Sequence, residues 1–204
     1  MSERGEMSLP GDFTESIPEH GLIWFLKYGV SAEVARHYGF GWSEKMARVV
    51  MPVYDETGNL CTTQSRAVYP DQVPKYMNKK NGDMTCVAFY SDDELLLDAP
   101  VQEGLVITED ILSAVRVGRL MPALSTLGTH LSDKLAVRAL KSVYGPVYIW
   151  YDGDEAGVKG ARKARRTLEL QGKQAIVIKT EKDPKEYSND EIRAILTASN
   201  PQCN

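Results

Sequence analysis

VYIWYDGDEAGVKGARKARRTLEL, Val147–Leu170, is the stretch that decides the fold. An apolar, aromatic and β-branched run breaks into two aspartates around one glycine, Asp152 and Asp154, and then into a segment of helical periodicity. On that period Val158, Ala161, Ala164 and Leu168 form a narrow apolar stripe, while Lys159, Arg162, Lys163 and Arg166 form a second stripe on another face. The expectation is a buried strand, an acidic turn at its carboxyl end, and a helix that packs on a sheet by one stripe. Gly153 should let the turn aim both aspartates into one pocket, and Gly157 should permit close approach where the helix begins.

The same rhythm recurs on either side. GLVIT (104–108), PALSTL (122–127), PVYIWYD (146–152) and QAIVIKT (174–180) read as short strands, each followed by a helical pattern, the last helix starting at Asn189. Strands alternating with helices predict βαβ units and hence an α/β fold, a parallel sheet covered by helices on both faces. The first half differs. Two short helices end at Gly29 and Gly39, the second opened by Ser31 as N-cap. ARVVMPVYDETGNLCTTQSRAVY then reads as two strands around a turn, and three prolines and a glycine in YPDQVPKYMNKKNGDM exclude a long helix there. The expected division is a flexible tail at 1–16, a smaller mixed α+β subdomain at 17–103 with Pro100 marking its end, the parallel-sheet domain at 104–187, and a C-terminal helix and tail at 188–204.

Ligands of open parallel sheets bind at the carboxyl ends of the strands. Glu109, Asp152, Asp154 and Asp183 all stand at such ends, so acids distant in sequence are expected on one rim. Close carboxylates repel and raise one another's pKa, which calls for a cation. Oxygen ligands suit Mg²⁺ or Mn²⁺, typically held by one or two carboxylates together with substrate phosphates. The basic stripe behind them would attract a polyanion, or simply solvate the helix.

With 43% apolar and 25% charged residues the chain should be globular. It has no run of ~18 apolar residues and no secretory segment, so a cytoplasmic setting without membrane contact is expected. Cys61, Cys86 and Cys203 are widely spaced and never form CxxC, arguing for isolated reduced thiols rather than a disulfide framework or zinc ribbon. The net charge of −4 hides an asymmetry: residues 1–100 carry 9 Lys and Arg against 15 Asp and Glu, residues 101–204 carry 15 against 13. A local basic surface, not the total, governs nucleic-acid binding.

VITED followed by a helix, ALSTLGTHLS, YIWYDGDEAGVKGA and EKDPKEY resemble, in order and spacing, the TOPRIM domain of bacterial-type primases, topoisomerases and certain nucleases. Upstream, RVVMPVYDETGNL, QSRAV and PKYMN resemble the N-terminal part of the catalytic core of DnaG-type DNA primases of bacteria and phages; the likeness spans roughly residues 20–190. It implies a polymerase that makes short RNA primers on a single-stranded DNA template from ribonucleoside triphosphates. By resemblance Glu109, Asp152, Asp154 and Asp183 are metal ligands, the first three catalytic. Arg66, Lys75 and Asn78 sit where the family contacts nucleotide or template, with Arg48 a weaker candidate. Lys159, Arg162 and Lys163 join the nucleic-acid set, and the template is expected along the junction of the two subdomains. Two ions about 4 Å apart would be typical of such phosphoryl transfer.

Three positions depart from the family pattern. The residue after the Glu, usually Gly, is Asp110; a commonly acidic position four residues after the Glu is Ser113; the second acid of the DP motif is Lys185. Two possible ligands are thus missing, which puts a second metal site in question. A basic residue expected downstream of PKYMN has no clear counterpart unless Lys79 or Lys80 replaces it. The family's preceding zinc-binding module and any helicase domain are absent from these 204 residues, which implies a helicase or a separate zinc-binding protein acting in trans and a phage-encoded enzyme. The competing readings are a TOPRIM nuclease and a non-catalytic module that binds DNA or the replisome.

Overall fold

The computed structural model describes residues 7–54, 58–80, 88–90, 104–140 and 143–200. The chain divides into two compact units, Met1–Cys86 and Val87–Asn204. Pro100, expected to mark the boundary, lies outside the described residues, as do residues 1–6 of the expected tail.

The first unit is one antiparallel sheet in the order β1-β2-β3-β4-β5: β1 Phe13–Thr14, β2 Gly41–Ser43, β3 Arg48–Tyr54, β4 Leu60–Ala67 and β5 Tyr76–Lys80. Helices α1 Glu19–Lys27 and α2 Ala32–His37 precede β2. Both helices stop where the sequence indicates. Gly29 and Gly39 take the left-handed conformation at φ 72° and 64°, which other residues adopt only under strain. The Ser31 hydroxyl caps α2 by accepting from Val34 N at 3.2 Å. Pro52 breaks no ladder on the β2 side, because that pairing ends at Val50.

Two expectations fail in this unit. Residues 7–16 are not a loose tail: β1 pairs with β2, and the Asp12 carboxylate accepts from Ser43 Oγ at 3.0 Å and Lys45 N at 2.8 Å, which ties the entry segment to the sheet edge. Cys61 is disulfide-bonded rather than a free thiol; Cys86 and Cys203 both lie outside the described residues. Thiols brought together by a fold can pair whatever their sequence spacing.

The second unit is a five-stranded sheet in the order β10-β9-β7-β8-β6, made of β6 Ala88–Tyr90, β7 Leu105–Thr108, β8 Ala123–Ser125, β9 Val147–Ile149 and β10 Ala175–Val177. The four strands read from the sequence are parallel, and β6, absent from that reading, pairs antiparallel with β8 at the edge. Between the strands run α3 Ile111–Gly118, α4 Asp133–Leu140 and α5 Glu155–Leu170, with a 3-10 turn at Pro184–Glu186 and α6 Asn189–Ser199 after β10. One face of the sheet, through Leu105, Ile107, Val147 and Ile149, shares a core with Leu135 of α4 and Ala161, Ala164 and Leu168 of α5. Across the strand pleat Val106, Tyr148 and Trp150 are equally buried, and α3 packs on β7 and β8 with α6 and the 3-10 turn beside it. Because β7 connects to β8 on one side and β9 to β10 on the other, the winding reverses between β7 and β9, where open α/β sheets form their crevice.

In α5 the buried line runs through Gly157, Gly160, Ala161, Ala164 and Leu168, with Val158 only half-buried. The stripe is therefore rotated toward the glycines. A side chain at Gly160 would come within 2.6 Å of Thr129 O, so the helix packs by backbone approach rather than by the Val158 side chain.

Candidate active site

Glu109 leaves the end of β7 and Asp152 follows β9, the two strands at the switch point. The Asp152 N–H donates to Glu109 Oε1 at 3.1 Å, joining the strand ends directly. The end of β8 and the segment after it fix the Glu109 backbone: Glu109 O accepts from Gly128 N at 2.8 Å and from Ser125 Oγ at 3.2 Å. Leu127 within it adopts φ 55°, local strain of the kind held at functional sites. Gly157 is required here, since a Cβ would stand 2.2 Å from Asp152 O and 2.6 Å from Glu109 Oε1.

Burial, and next the neighbouring Asp152 charge, pushes the Glu109 carboxyl up to about 7. Asp152 is pushed up to about 6, again chiefly by burial, with Lys185 opposing and Asp110 and Asp183 adding to the rise. Asp152 Oδ1 is buried without a hydrogen-bond partner among the described residues, and such an atom is costly unless a donor or cation reaches it. An all-oxygen pair with one orphaned acceptor fits a hard divalent cation.

The four expected metal ligands do not form a cage: among the described residues no three His, Cys, Asp or Glu side chains are grouped so as to hold a metal ion. Glu109 and Asp152 meet, but the other two acids have nearer donors. Asp154 is the N-cap of α5, accepting from Gly157 N at 2.7 Å, and its charge adds to the rise on Glu109 and Asp152. Gly153 is not in a left-handed conformation; its lack of a side chain makes room for Thr180 O, 3.1 Å from where a Cβ would be. Asp183 Oδ2 lies 2.8 Å from the ammonium of Lys185.

That ammonium also lies 2.9 Å from Asp110 Oδ2, and Lys185 is only 5% exposed. Asp110 caps α3 through Ser113 N at 3.1 Å and accepts from Ser113 Oγ at 3.0 Å. The sequence shows Asp110 and Ser113 at capping distance, but nothing in it announces a lysine 75 residues away as the partner of Asp110. Behind Asp152 a cleft of about 210 Å³ opens between α5 and the end of β10, with Arg162 and Lys179 in its wall. Lys159, Arg162 and Lys163 are all exposed on α5.

In the first unit, Arg66 of β4 is buried with its guanidinium 4.8 Å from the Tyr76 ring centroid and 5.4 Å from that of Trp24. It donates to Ala67 O, while its buried Nε has no hydrogen-bond partner among the described residues. Arg48 is also buried, 3.4 Å from Lys75 O; burial and then the Arg66 charge depress its guanidinium below the usual range. Cross-strand register puts Arg66 opposite Tyr76 and Gln64 opposite Asn78, so Arg66 and Asn78 share a sheet face. Gln64 Nε2 donates to Asn78 Oδ1 at 3.1 Å, and Lys75 is exposed. The aromatic neighbours of Arg66 were not legible in sequence, because Trp24 belongs to a helix whose docking is tertiary.

Residues 101–188 match the family described as Toprim-like. The DNA primase of Aquifex aeolicus (strain VF5) is 28% identical over 170 residues, 76% of this chain and 33% of that protein. This chain therefore spans about a third of that relative's length, and 24% of a DNA primase from Enterococcus faecalis, 26% identical over 153 residues covering 69% of this chain. The structure of a DnaG primase catalytic domain bound to ssDNA superposes with TM-score 0.71 at 18% identity, covering 91% of this chain and 76% of that one. No helix among the described residues is long and apolar enough to cross a membrane. The chain carries a Toprim-like domain at 101–188 within the fold of DnaG-type primase catalytic cores.

Proposed function

We propose that this chain is a DNA primase, joining ribonucleoside triphosphates into short RNA on single-stranded DNA in the cytoplasm. One observation carries the reading: Glu109 and Asp152 are linked at the switch point of the sheet, with Asp152 Oδ1 buried and without a hydrogen-bond partner among the described residues. Glu109 and Asp152 would hold Mg²⁺ or Mn²⁺, which when bound offsets negative charge at the reacting phosphate. The chain's own part is positional. The Gly128 and Ser125 bonds hold Glu109 in place, and Asp154 anchors the first turn of α5 behind the pair. Arg66 and Lys75 would grip phosphate, Arg66 as a planar fork braced by two rings and Lys75 as a mobile surface charge. Lys159, Arg162 and Lys163 would neutralise nucleic-acid backbone without reading sequence.

A helicase is the proposed partner. A primase fragment of the bacteriophage T7 primase-helicase protein has this fold at TM-score 0.67 and 15% identity, covering 97% of this chain and 81% of that one. Incubation with single-stranded DNA, labelled ribonucleotides and Mg²⁺ or Mn²⁺ tests the reading. Labelled oligoribonucleotides are expected; shortened DNA would make the chain a nuclease, and bound, unchanged DNA a docking module. The assay is run alone and with any zinc-binding protein found encoded beside it.

A further inference from the structure

Lys185 is the most telling side chain that the proposed reaction leaves unused. Its ammonium is withdrawn from solvent, and a buried cation persists only where carboxylates compensate it. Two of the described residues do so, Asp110 at 2.9 Å and Asp183 at 2.8 Å. Asp110 is itself held in place, accepting from the N–H and the hydroxyl of Ser113. The loop that carries Lys185 is pinned as well: Arg116 Nε of α3 donates to Tyr187 O at 2.9 Å, and Lys182 N to the Tyr187 hydroxyl at 3.1 Å. The cation is built into the fold beside Asp110, the residue that directly follows Glu109.

The three departures from the family pattern are thus a single hydrogen-bonded cluster of Asp110, Ser113 and Lys185. Counted against that pattern, Ser113 and Lys185 each remove a negative charge, Lys185 adds a positive one and Asp110 restores a negative one. The corner gains two positive charges, as much as a divalent ion would bring. Asp183, an expected ligand, is turned to the ammonium.

We propose that Lys185 is an internal counter-cation that takes the place of a second protein-held divalent ion, so that the chain itself binds only one, at Glu109 and Asp152. The inference rests on the reading of that pair as a metal centre. Lys185 is a positioning residue: it removes Asp183 from the ligand set and supplies fixed positive charge without recruiting an ion from solution.

Mn²⁺ titration of the full chain, free of DNA and nucleotide, followed by electron paramagnetic resonance, tests this. The expected result is one bound Mn²⁺ per chain for the wild type. Lys185→Asp, which opens the corner to a cation, is expected to bind two, with line broadening from two neighbouring ions. Asp183→Asn does not depend on the folding of that variant. It is expected to retain one Mn²⁺ and to change its Kd by less than about 10-fold, the lower end of what an outer-shell partner contributes. Two Mn²⁺ on the wild type, loss of the Mn²⁺ in Asp183→Asn, or one Mn²⁺ on folded Lys185→Asp would each overturn the proposal while leaving the metal centre standing. No Mn²⁺ on the wild type would overturn the metal centre, and the proposal with it.

Discussion

The backbone N–H of Asp152 donates to Glu109 Oε1 at 3.1 Å, joining two strand ends separated by 43 residues of chain. This contact forms where the sheet reverses its winding, so two carboxyls with raised pKa lie at its natural ligand crevice. A raised pKa beside an orphaned oxygen marks a functional-site candidate, and a bound cation would displace the proton and relieve both.

Removing either charge should therefore separate folding from turnover. Glu109→Gln and Asp152→Asn are each expected to reduce primer synthesis at least ~100-fold, the scale of losing one preorganised electrostatic contact, with melting temperature unchanged or higher. Gel assays of RNA products and thermal melts check this; wild-type turnover in either variant would remove the metal assignment.

The same two groups set a pH dependence. Without divalent ions the folded Glu109 and Asp152 carboxyls hold protons up to about 7 and about 6, against ordinary values of 4.5 and 3.8. Across that interval the folded state binds more protons than the unfolded one, so stability is fullest below the ordinary values and falls as pH rises through the folded ones. Denaturant unfolding in chelator should show this decline, Glu109→Gln should flatten it, and Mg²⁺ should reverse it at neutral pH.

Gly157→Ala tests the close approach itself. Its Cβ would lie 2.2 Å from Asp152 O, so the strand end must shift. A cost of about 1–3 kcal/mol is expected, with loss of synthesis. Gly172→Ala is the contrast: its new Cβ would meet nothing within 4 Å but would sit at φ 76°. It should cost ~1 kcal/mol through strain alone and leave synthesis intact. Urea unfolding of both variants decides it.

Lys75 and Arg66 should separate by exposure. Lys75→Ala is expected to weaken nucleotide or template binding while stability stays within about 0.5 kcal/mol, as for most surface changes. Arg66→Ala should lose affinity and stability together, because a buried guanidinium between Trp24 and Tyr76 is also packing. KM values, fluorescence anisotropy on single-stranded DNA and melting curves check both.

The α5 stripe is testable through salt. Replacing Lys159, Arg162 and Lys163 by alanine should lower the slope of log affinity against log salt by about 2, taking ~0.7 per phosphate contact on single strands. An unchanged slope would make the stripe a solvated face.

The sequence by itself determined what short-range physics controls. The helix ends at Gly29 and Gly39 follow from left-handed backbone, the Ser31 cap from its hydroxyl, and the four parallel strands from apolar runs punctuated by helices. The placement of Glu109, Asp152, Asp154 and Asp183 at strand ends follows from the same alternation. Only the tertiary structure decided which of those acids meet. A carboxylate turns to the nearest donor, and that donor is set by strand order and packing: Gly157 N for Asp154, the Lys185 ammonium for Asp183, the Asp152 N–H for Glu109. For the same reason the pairing of β6 with β8, the anchoring of Asp12 and the stacking on Arg66 were beyond local reading, since each joins groups whose proximity no periodicity encodes.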